Sequence, residues 1–298
     1  MIAFDAIDHV LSHDLGGRGI ARFFTPGAAM AAAHALLRSR RVLITTGFCV
    51  GPDLPETDGP PGAAVLGSAL RRLGARVVYV TDRPNVRVLE AALKALGELS
   101  EVDLYPDGAG AAPAVLATHR PTHVIAIERP GRARSGDYLN ARGQSVKQWN
   151  APIDELFLVR SRRLTLAIGD GGNEIGMGNA HARVAGQSAL MARITSIVRA
   201  DHLVVAGTSN WGAYGVVAAL QRLSKRALLH SPDVERRLIA ACAKAGAVDG
   251  ITRRREATVD GLPASAHAAV VELLALAAET GERGIMSRPV DRRERGAR

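Results

Sequence analysis

The chain alternates between two kinds of apolar pattern. Short, nearly continuous apolar runs occur at 41-RVLITTGF-48, 75-ARVVYVTD-82, 122-THVIAIE-128, 164-LTLAIGD-170 and 202-HLVVAGT-208. Such runs predict strands buried on both faces. Segments of helical character separate them, over 27–38, 62–73, 85–97, around 180–194, after Asn210, and over 233–245 and 264–280. Pro60 and Pro61 open the second of these and Gly74 stops it. A short strand is expected around 101–105, a loop over 108–113 and a helix over 151–158. Residues 1–20 begin amphipathically (Ile2, Ile7, Val10, Leu11) and end in Gly16-Gly17-Arg18-Gly19, read as a helix and a flexible connector. The alternation predicts an α/β fold: a mainly parallel sheet covered by helices on both faces, Rossmann-like and three-layered. A C-terminal helical extension would cover one edge. One domain is expected over 1–298, with 1–25 as N-terminal helix and connector and the Arg-rich 287–298 as a frayed basic tail.

In such a sheet, ligands bind beyond the carboxyl ends of the strands. Those ends carry Thr45 and Thr46, Asp82, Glu128, Asp170, and Ser209 with Asn210. The densest is 168-IGDGGNEIGMGN-179, which places Asp170, Gly171, Gly172, Asn173 and Glu174 in a turn. Gly171 and Gly172 permit close backbone approach to a ligand, and Asn173 is placed to cap a following helix. Asn210 is expected to cap the helix after the last strand. A lone D-G-G would be read as a tight turn with an acidic cap, but four glycines and two acids within nine residues favour a ligand site. The loop 47-GFCVGPDLPETDGPPG-62 is long for a compact domain and brings Asp53, Glu56 and Asp58, read as a lid over the same rim. Arg129, Arg132 and Arg134 follow a strand end, where guanidinium forks suit carboxylate or phosphate.

Composition narrows the functional classes. Net charge is +9, which admits anionic ligands, but the basic residues are dispersed among acids. Aromatic residues make up 4%, too few for a base-stacking platform, so nucleic acid is an improbable partner. No run of eighteen apolar residues predicts a membrane span, and there is no signal-peptide pattern. The two cysteines, Cys49 and Cys242, lie far apart without metal spacing, which fits a cytoplasmic protein with core-type thiols.

Motif chemistry is as informative by what it excludes. No G-x-x-x-x-G-K-[ST] loop occurs, and 169-GDGGNEIG-176 is only loosely like a dinucleotide fingerprint, so no nucleotide cofactor is predicted. No paired His or Cys spacing suits zinc. Carboxylates suit the hard ions Mn²⁺ or Mg²⁺, with Asp170, Glu174 and Asp53 as the natural ligands. His123, His202 and His230 read as packing residues. Trp211 is a better pocket-wall candidate than Trp149.

Longer strings carry a resemblance. The segments 45-TTGFCVGPDLPETDGPPGA-63, 127-IERPGRARSGDYLNARG-143, 168-IGDGGNEIGMGN-179, 201-DHLVVAGTSNWGAYG-215 and 246-GAVDGITRRREATVDGLPASAH-267 resemble the D-glutamate cyclase C-terminal-like family over about residues 40–280. Animal members carry this domain behind another, and the expectation here is the domain without that companion. The resemblance implies a hydro-lyase converting D-glutamate to 5-oxo-D-proline and water. Cyclisation needs a neutral amine, a neutralised γ-carboxylate and a folded substrate. Asp170, Glu174 and Asn173 are the candidate catalytic residues. Gly171, Gly172, Arg132, Glu128, Ser209, Asn210, Thr46 and Asp58 are the candidate substrate contacts. The expected partner is a small acidic metabolite such as D-glutamate, and a homo-oligomer is compatible with the sequence. The alternatives are an Mg²⁺-dependent phosphate-ester or nucleotide hydrolase and a non-catalytic binder of acidic metabolites, because one α/β scaffold hosts many reactions.

Overall fold

Every apolar run identified as a strand pairs in parallel with its neighbours. The structure is a computed structural model that describes residues 4–280; the Arg-rich tail lies outside the described residues. Helices α1 (Ala6–Leu11) and α2 (Ala28–Leu36) precede β1 (Arg41–Thr46), α3 (Pro60–Arg72), β2 (Arg76–Thr81), α4 (Arg83–Leu96) and β3 (Val102–Leu104). The chain continues through α5 (Ala112–His119), β4 (His123–Ile127), α6 (Glu155–Leu158), β5 (Leu164–Gly169), α7 (His181–Ala185), α8 (Ala189–Ile194) and β6 (His202–Val205). It ends with α9 (Ser209–Ser224), α10 (Pro232–Lys244), the two-residue strands β7 (Thr258–Val259) and β8 (Leu262–Pro263), and α11 (Ala264–Thr280).

The six long-sheet strands run in the order β3-β2-β1-β4-β5-β6. Thr46 of β1 stands level with Ile127 of β4, and Ile127 with Ile168 of β5. The polar residues that follow these strands therefore emerge on one rim. Chain direction across the sheet reverses between β1 and β4, where an open parallel sheet leaves a crevice.

Alternate strand residues serve opposite faces. Val42, Ile44, Ile125, Ile127, Leu166 and Ile168 pack with α2, α3, α4 and α9 in one core. Leu43, Val80 and Val124 meet Val115, Leu116 and Leu156 of α5 and α6 on the other face. Burial on both sides explains why the strands carry so few polar positions.

Four local expectations are corrected. The predicted helix over 180–194 is two short helices, because Ser188 breaks off and its Oγ accepts Met191 N–H to cap α8. A helix, α5, follows the loop at 108–113; Pro113 opens it and Arg120, at φ +46°, closes it. The C-terminal helices pack outside the helix layer rather than along a sheet edge: α10 lies against α4 and α11 against α9, and Val271 and Leu274 of α11 join the main core with Leu238 of α10. Finally, 47–59 is not a free flap. Phe48, Cys49, Val50 and Pro55–Gly59 are buried, and Thr57 N–H donates to the Val248 carbonyl while Val248 N–H donates to that of Pro55. No helix of the described residues is long and apolar enough to cross a membrane.

Candidate active site

The corner after β5 turns back on itself. Asp170 is fully buried, and the Glu174 carboxylate accepts N–H bonds from Gly171 (2.7 Å), Gly172 (2.7 Å) and Asp170 (3.3 Å). Amides that were expected to face a ligand are thus satisfied within the loop. Gly172 has φ +104°, and a Cβ there would lie 2.6 Å from Val184 Cγ1, so packing demands the glycine. Asn173 caps no helix: only a single 3₁₀ turn follows at Met177–Asn179, and the Asn173 amide donates to the Leu139 carbonyl at 2.8 Å.

The loop after β1 delivers Asp58 to the start of α9. Its carboxylate accepts N–H bonds from Ser209 (2.8 Å), Asn210 (2.9 Å) and Gly59 (3.0 Å). An anion is favoured at this helix end. The cap itself is Thr208, whose hydroxyl accepts Trp211 N–H, which displaces Asn210 from the capping role predicted for it. Asn210 Oδ1 instead accepts Gly59 N–H (3.1 Å) and Gly62 N–H (2.8 Å), tying the loop to the helix. Ser209 Oγ donates to Glu128 at 2.6 Å. Thr46 Oγ1 is buried with no partner beneath Gly59.

Two further groups complete the assembly. Asp260 sits at the turn between β7 and β8, and Arg18 reaches in from the glycine-rich connector. Arg18 bridges Asp170 Oδ1 (2.6 Å) and Asp260 Oδ1 (2.5 Å) with its two terminal nitrogens. The second oxygen of each aspartate, Asp170 Oδ2 and Asp260 Oδ2, is buried without a hydrogen-bond partner, as is Glu56 Oε1.

Six buried carboxyl groups (Glu56, Asp58, Glu128, Asp170, Glu174 and Asp260) therefore surround one guanidinium. Burial, compounded by neighbouring carboxylates, raises the proton affinity of Glu56 and Glu128 well above the ordinary range. Asp170 is raised by burial in spite of Arg18. Asp58 is pushed up to about 7 by burial and Asp260, against the opposing N–H bonds of Asn210 and Ser209. So much negative charge in a desolvated space calls for protons or a cation. Two carboxylate sets have the spacing to hold a metal ion: Asp58 with Asp170 and Asp260, and Glu128 with Asp170 and Glu174. All-oxygen donors suit Mn²⁺ or Mg²⁺.

A cavity of about 80 Å³ opens on this cluster, lined among others by Arg18, Glu56, Glu128, Asn173, Arg253 and Asp260. Of the six non-glycine residues with positive φ among those described, Glu128, Arg253 and Asp260 line it. Backbone strain of this kind gathers where side chains must be aimed.

Two residues expected at the site lie elsewhere. Asp53, at φ +50° on the outer bend of the loop, is 66% exposed and pairs with Arg87. Arg132 forms a two-pronged bond to Asp154, at 2.7 and 2.9 Å. Both line a larger cleft, of about 490 Å³, which also includes Trp149 but none of the six carboxylates. Of its four acids, Asp53, Asp82 and Glu155 lie beside Arg87, Arg129 and Arg132. Arg129 is buried and donates to Gly47 O, Asp82 and Ala151 O, a bracket for the loops. Arg134 is exposed. Cys49 is buried, and desolvation pushes its thiol up to about 12, so it stays a protonated core residue.

A family model described as D-glutamate cyclase-like, C-terminal, matches residues 7–275. The chain belongs to this family. It is 34% identical over 233 residues to the human protein named D-glutamate cyclase, mitochondrial, an alignment covering 72% of this chain and 38% of that one. The chain thus spans well under half the length of that relative.

The family match begins earlier than the resemblance suggested, and so takes in α1 and Arg18. In this D-glutamate cyclase-like domain Arg18 and Asp260 are the site residues that sequence reasoning missed. The signals were present but weak: an arginine framed by glycines in 16-GGRG-19, and an acid in the turn pair 260-DG-261.

Proposed function

We propose that this domain cyclises D-glutamate to 5-oxo-D-proline with release of water. The observation that carries the reading is the pair of buried, unpartnered carboxylate oxygens, Asp170 Oδ2 and Asp260 Oδ2, on two aspartates whose Oδ1 atoms Arg18 bridges beside a small cavity. Family membership supplies the reaction class, and the relative's name supplies the substrate.

The proposed chemistry needs acids in both protonation states. The substrate ammonium enters the acidic floor and loses a proton to Asp260, whose free oxygen lies at the cavity wall. The amine then forms a bond to the γ-carboxyl carbon. The nitrogen gives up its second proton, and a protonated neighbour, Glu56 or Glu128, gives its own, to one γ-carboxyl oxygen; the carbon–oxygen bond breaks, water departs, and Asp260 returns its proton to that neighbour. Raised proton affinity keeps such a carboxylic acid neutral and able to donate. Asp170 and Glu174 lie one layer deeper. Glu174 has both oxygens committed to backbone amides and Asp170 holds Arg18. Their proposed task is therefore to hold Arg18 and a divalent ion, with Asp58 as a further ligand. When bound, Mn²⁺ or Mg²⁺ would supply positive charge to offset the γ-carboxylate and the developing oxyanion. Arg18 takes the charge-neutralising part assigned to Arg132.

Purified protein incubated with D- or L-glutamate, with and without Mn²⁺, tests this by chiral chromatography for 5-oxoproline. Formation of the D-product, lost in Asp260→Asn, supports the reading. Binding of Mn²⁺ without lactam from either enantiomer would reduce it to an acidic-metabolite binder.

A further inference from the structure

The mouth of the cavity is built with the opposite polarity to its floor. Arg142 and Arg253 line it together with Glu56, Glu128 and Asp260. Among the described residues, neither arginine has a carboxylate within ion-pair distance, although most other buried or half-buried guanidiniums near acids in this molecule are paired. Arg142 donates weakly to the Ile251 carbonyl at 3.4 Å, and Arg253 Nη1 donates to the Val50 carbonyl at 2.7 Å. Arg253 Nε is buried with no partner at all. Burial and the charge of Arg142 both disfavour the charged form of Arg253, so an anion between the two would relieve the repulsion.

The turn that carries Arg253 is tied to the floor. Asp249 accepts N–H bonds from Ile251 (2.9 Å) and Thr252 (2.8 Å), which shapes the turn that holds Arg253 at φ +61°. The same carboxylate accepts Gly261 N–H at 2.7 Å, next to Asp260 on the floor. Gly250 lies against the Glu56 carboxylate, where a Cβ would collide with it. One carboxylate, Asp249, thus ties the cationic rim to the anionic floor.

We propose that Arg253 and Arg142 form the subsite for the α-carboxylate of an amino acid whose ammonium group enters the floor of Glu56, Glu128 and Asp260. This rests on the cyclase reading for the identity of the amino acid, but the bipolar subsite stands on its own geometry. An amino acid bound this way meets its cation and its anion with opposite charges in one small cavity, and its side-chain carboxylate is left to the inner cluster. The α-carboxylate survives cyclisation, so the product would use the same rim.

Ligand analogues and variants test the assignment together. Dissociation constants are measured by thermal-shift titration in the presence of Mn²⁺. The ligands are D-glutamate, D-isoglutamine (its α-carboxylate replaced by an amide) and 5-oxo-D-proline, applied to the wild-type chain, Arg253→Met, Arg253→Lys and Arg142→Met/Arg253→Met. Loss of a charge-assisted bond predicts that the wild type prefers D-glutamate to D-isoglutamine by about tenfold or more. The double variant should bind the two alike, with its D-isoglutamine affinity unchanged, and the product should weaken about as D-glutamate does. Arg253→Lys should regain part of the preference. Circular dichroism confirms that each variant is folded. A double variant that keeps the preference, or that loses both ligands equally, overturns the subsite. Where no 5-oxoproline forms, L-glutamate and D-aspartate are titrated as well. Arginine-dependent binding of either then upholds the subsite while the cyclase reading falls, and a wild type that binds no amino acid overturns the subsite itself.

Discussion

The indole Nε1–H of Trp211 donates to Nδ1 of His267 at 2.8 Å, deep in the core. An indole can only donate, so Nδ1 is the acceptor and the ring carries its proton on Nε2. That nitrogen faces the Val259 carbonyl at 3.2 Å, one residue before Asp260. Burial lowers the proton affinity of His267 and keeps the ring neutral. The chain of contacts runs from α9, which receives Asp58, through α11 to the turn that carries Asp260. His267→Leu leaves the indole and the carbonyl unpaired, at about 1–3 kcal/mol each. Expected results are a lower Tm and, in protein that remains folded, a weaker Mn²⁺ response, read by thermal unfolding with and without the ion.

Arg18 is the sole guanidinium bonded to the inner carboxylates among the described residues. Breaking a buried ion pair from one side costs about 3–5 kcal/mol. Arg18→Met should therefore lower stability more at pH 8 than at pH 5, because burial raises the proton affinity of Asp170 and protons offset more of its charge as pH falls. Added Mn²⁺ should restore more of the loss at pH 8 than it adds to wild type. Thermal unfolding at both pH values checks this.

The metal-free protein should become less stable as pH rises from about 4 towards 8. Asp58 titrates near 3.9 in an unfolded chain and near 7 in the fold. A carboxyl group raised by folding contributes stability that is complete below the unfolded value and is lost as pH passes the folded one. Glu56, Glu128 and Asp170 act in the same direction. Metal competes with protons for these oxygens, so the stabilisation by Mn²⁺ should grow over the same interval. A flat Mn²⁺ increment between pH 5 and 8 would contradict this.

Glu128→Gln replaces a carboxyl group that burial and its neighbours hold from ionising with an amide that cannot ionise, while an amide oxygen remains to accept Ser209 Oγ–H. The metal-free variant should gain about 1–2 kcal/mol, as expected where a site is held at a cost to stability. Its turnover, if the cyclase reading holds, should fall steeply. Denaturant unfolding and the lactam assay report the two effects separately.

The sheet was legible in the sequence because strands buried on both faces leave unbroken apolar runs, and a polar residue marks each carboxyl end. That much located Glu128, Asp170 and Glu174 on one rim. The rest depended on partners distant in sequence. Nothing near Arg132 announces that Asp154 will take both prongs of its guanidinium. Glu56 and Asp58 turn inward while Asp53 turns out, a division made by the bridge between Cys49 and Pro55 rather than by composition. Arg18 and Asp260 come from a connector and a two-residue hairpin, elements too short for periodicity to register. Asn173 and Asn210 have the right residue type for caps, but Thr208 precedes one and no long helix follows the other.

The loop over 47–59 is masonry, pinned by Asn210, Val248 and Thr258, not a hinged cover. A wall bonded at these points offers its guest a standing enclosure. Traffic must pass between the two arginines at its doorway, so exchange should follow the viscosity of the medium and the salt that screens that doorway, rather than the tempo of any backbone swing.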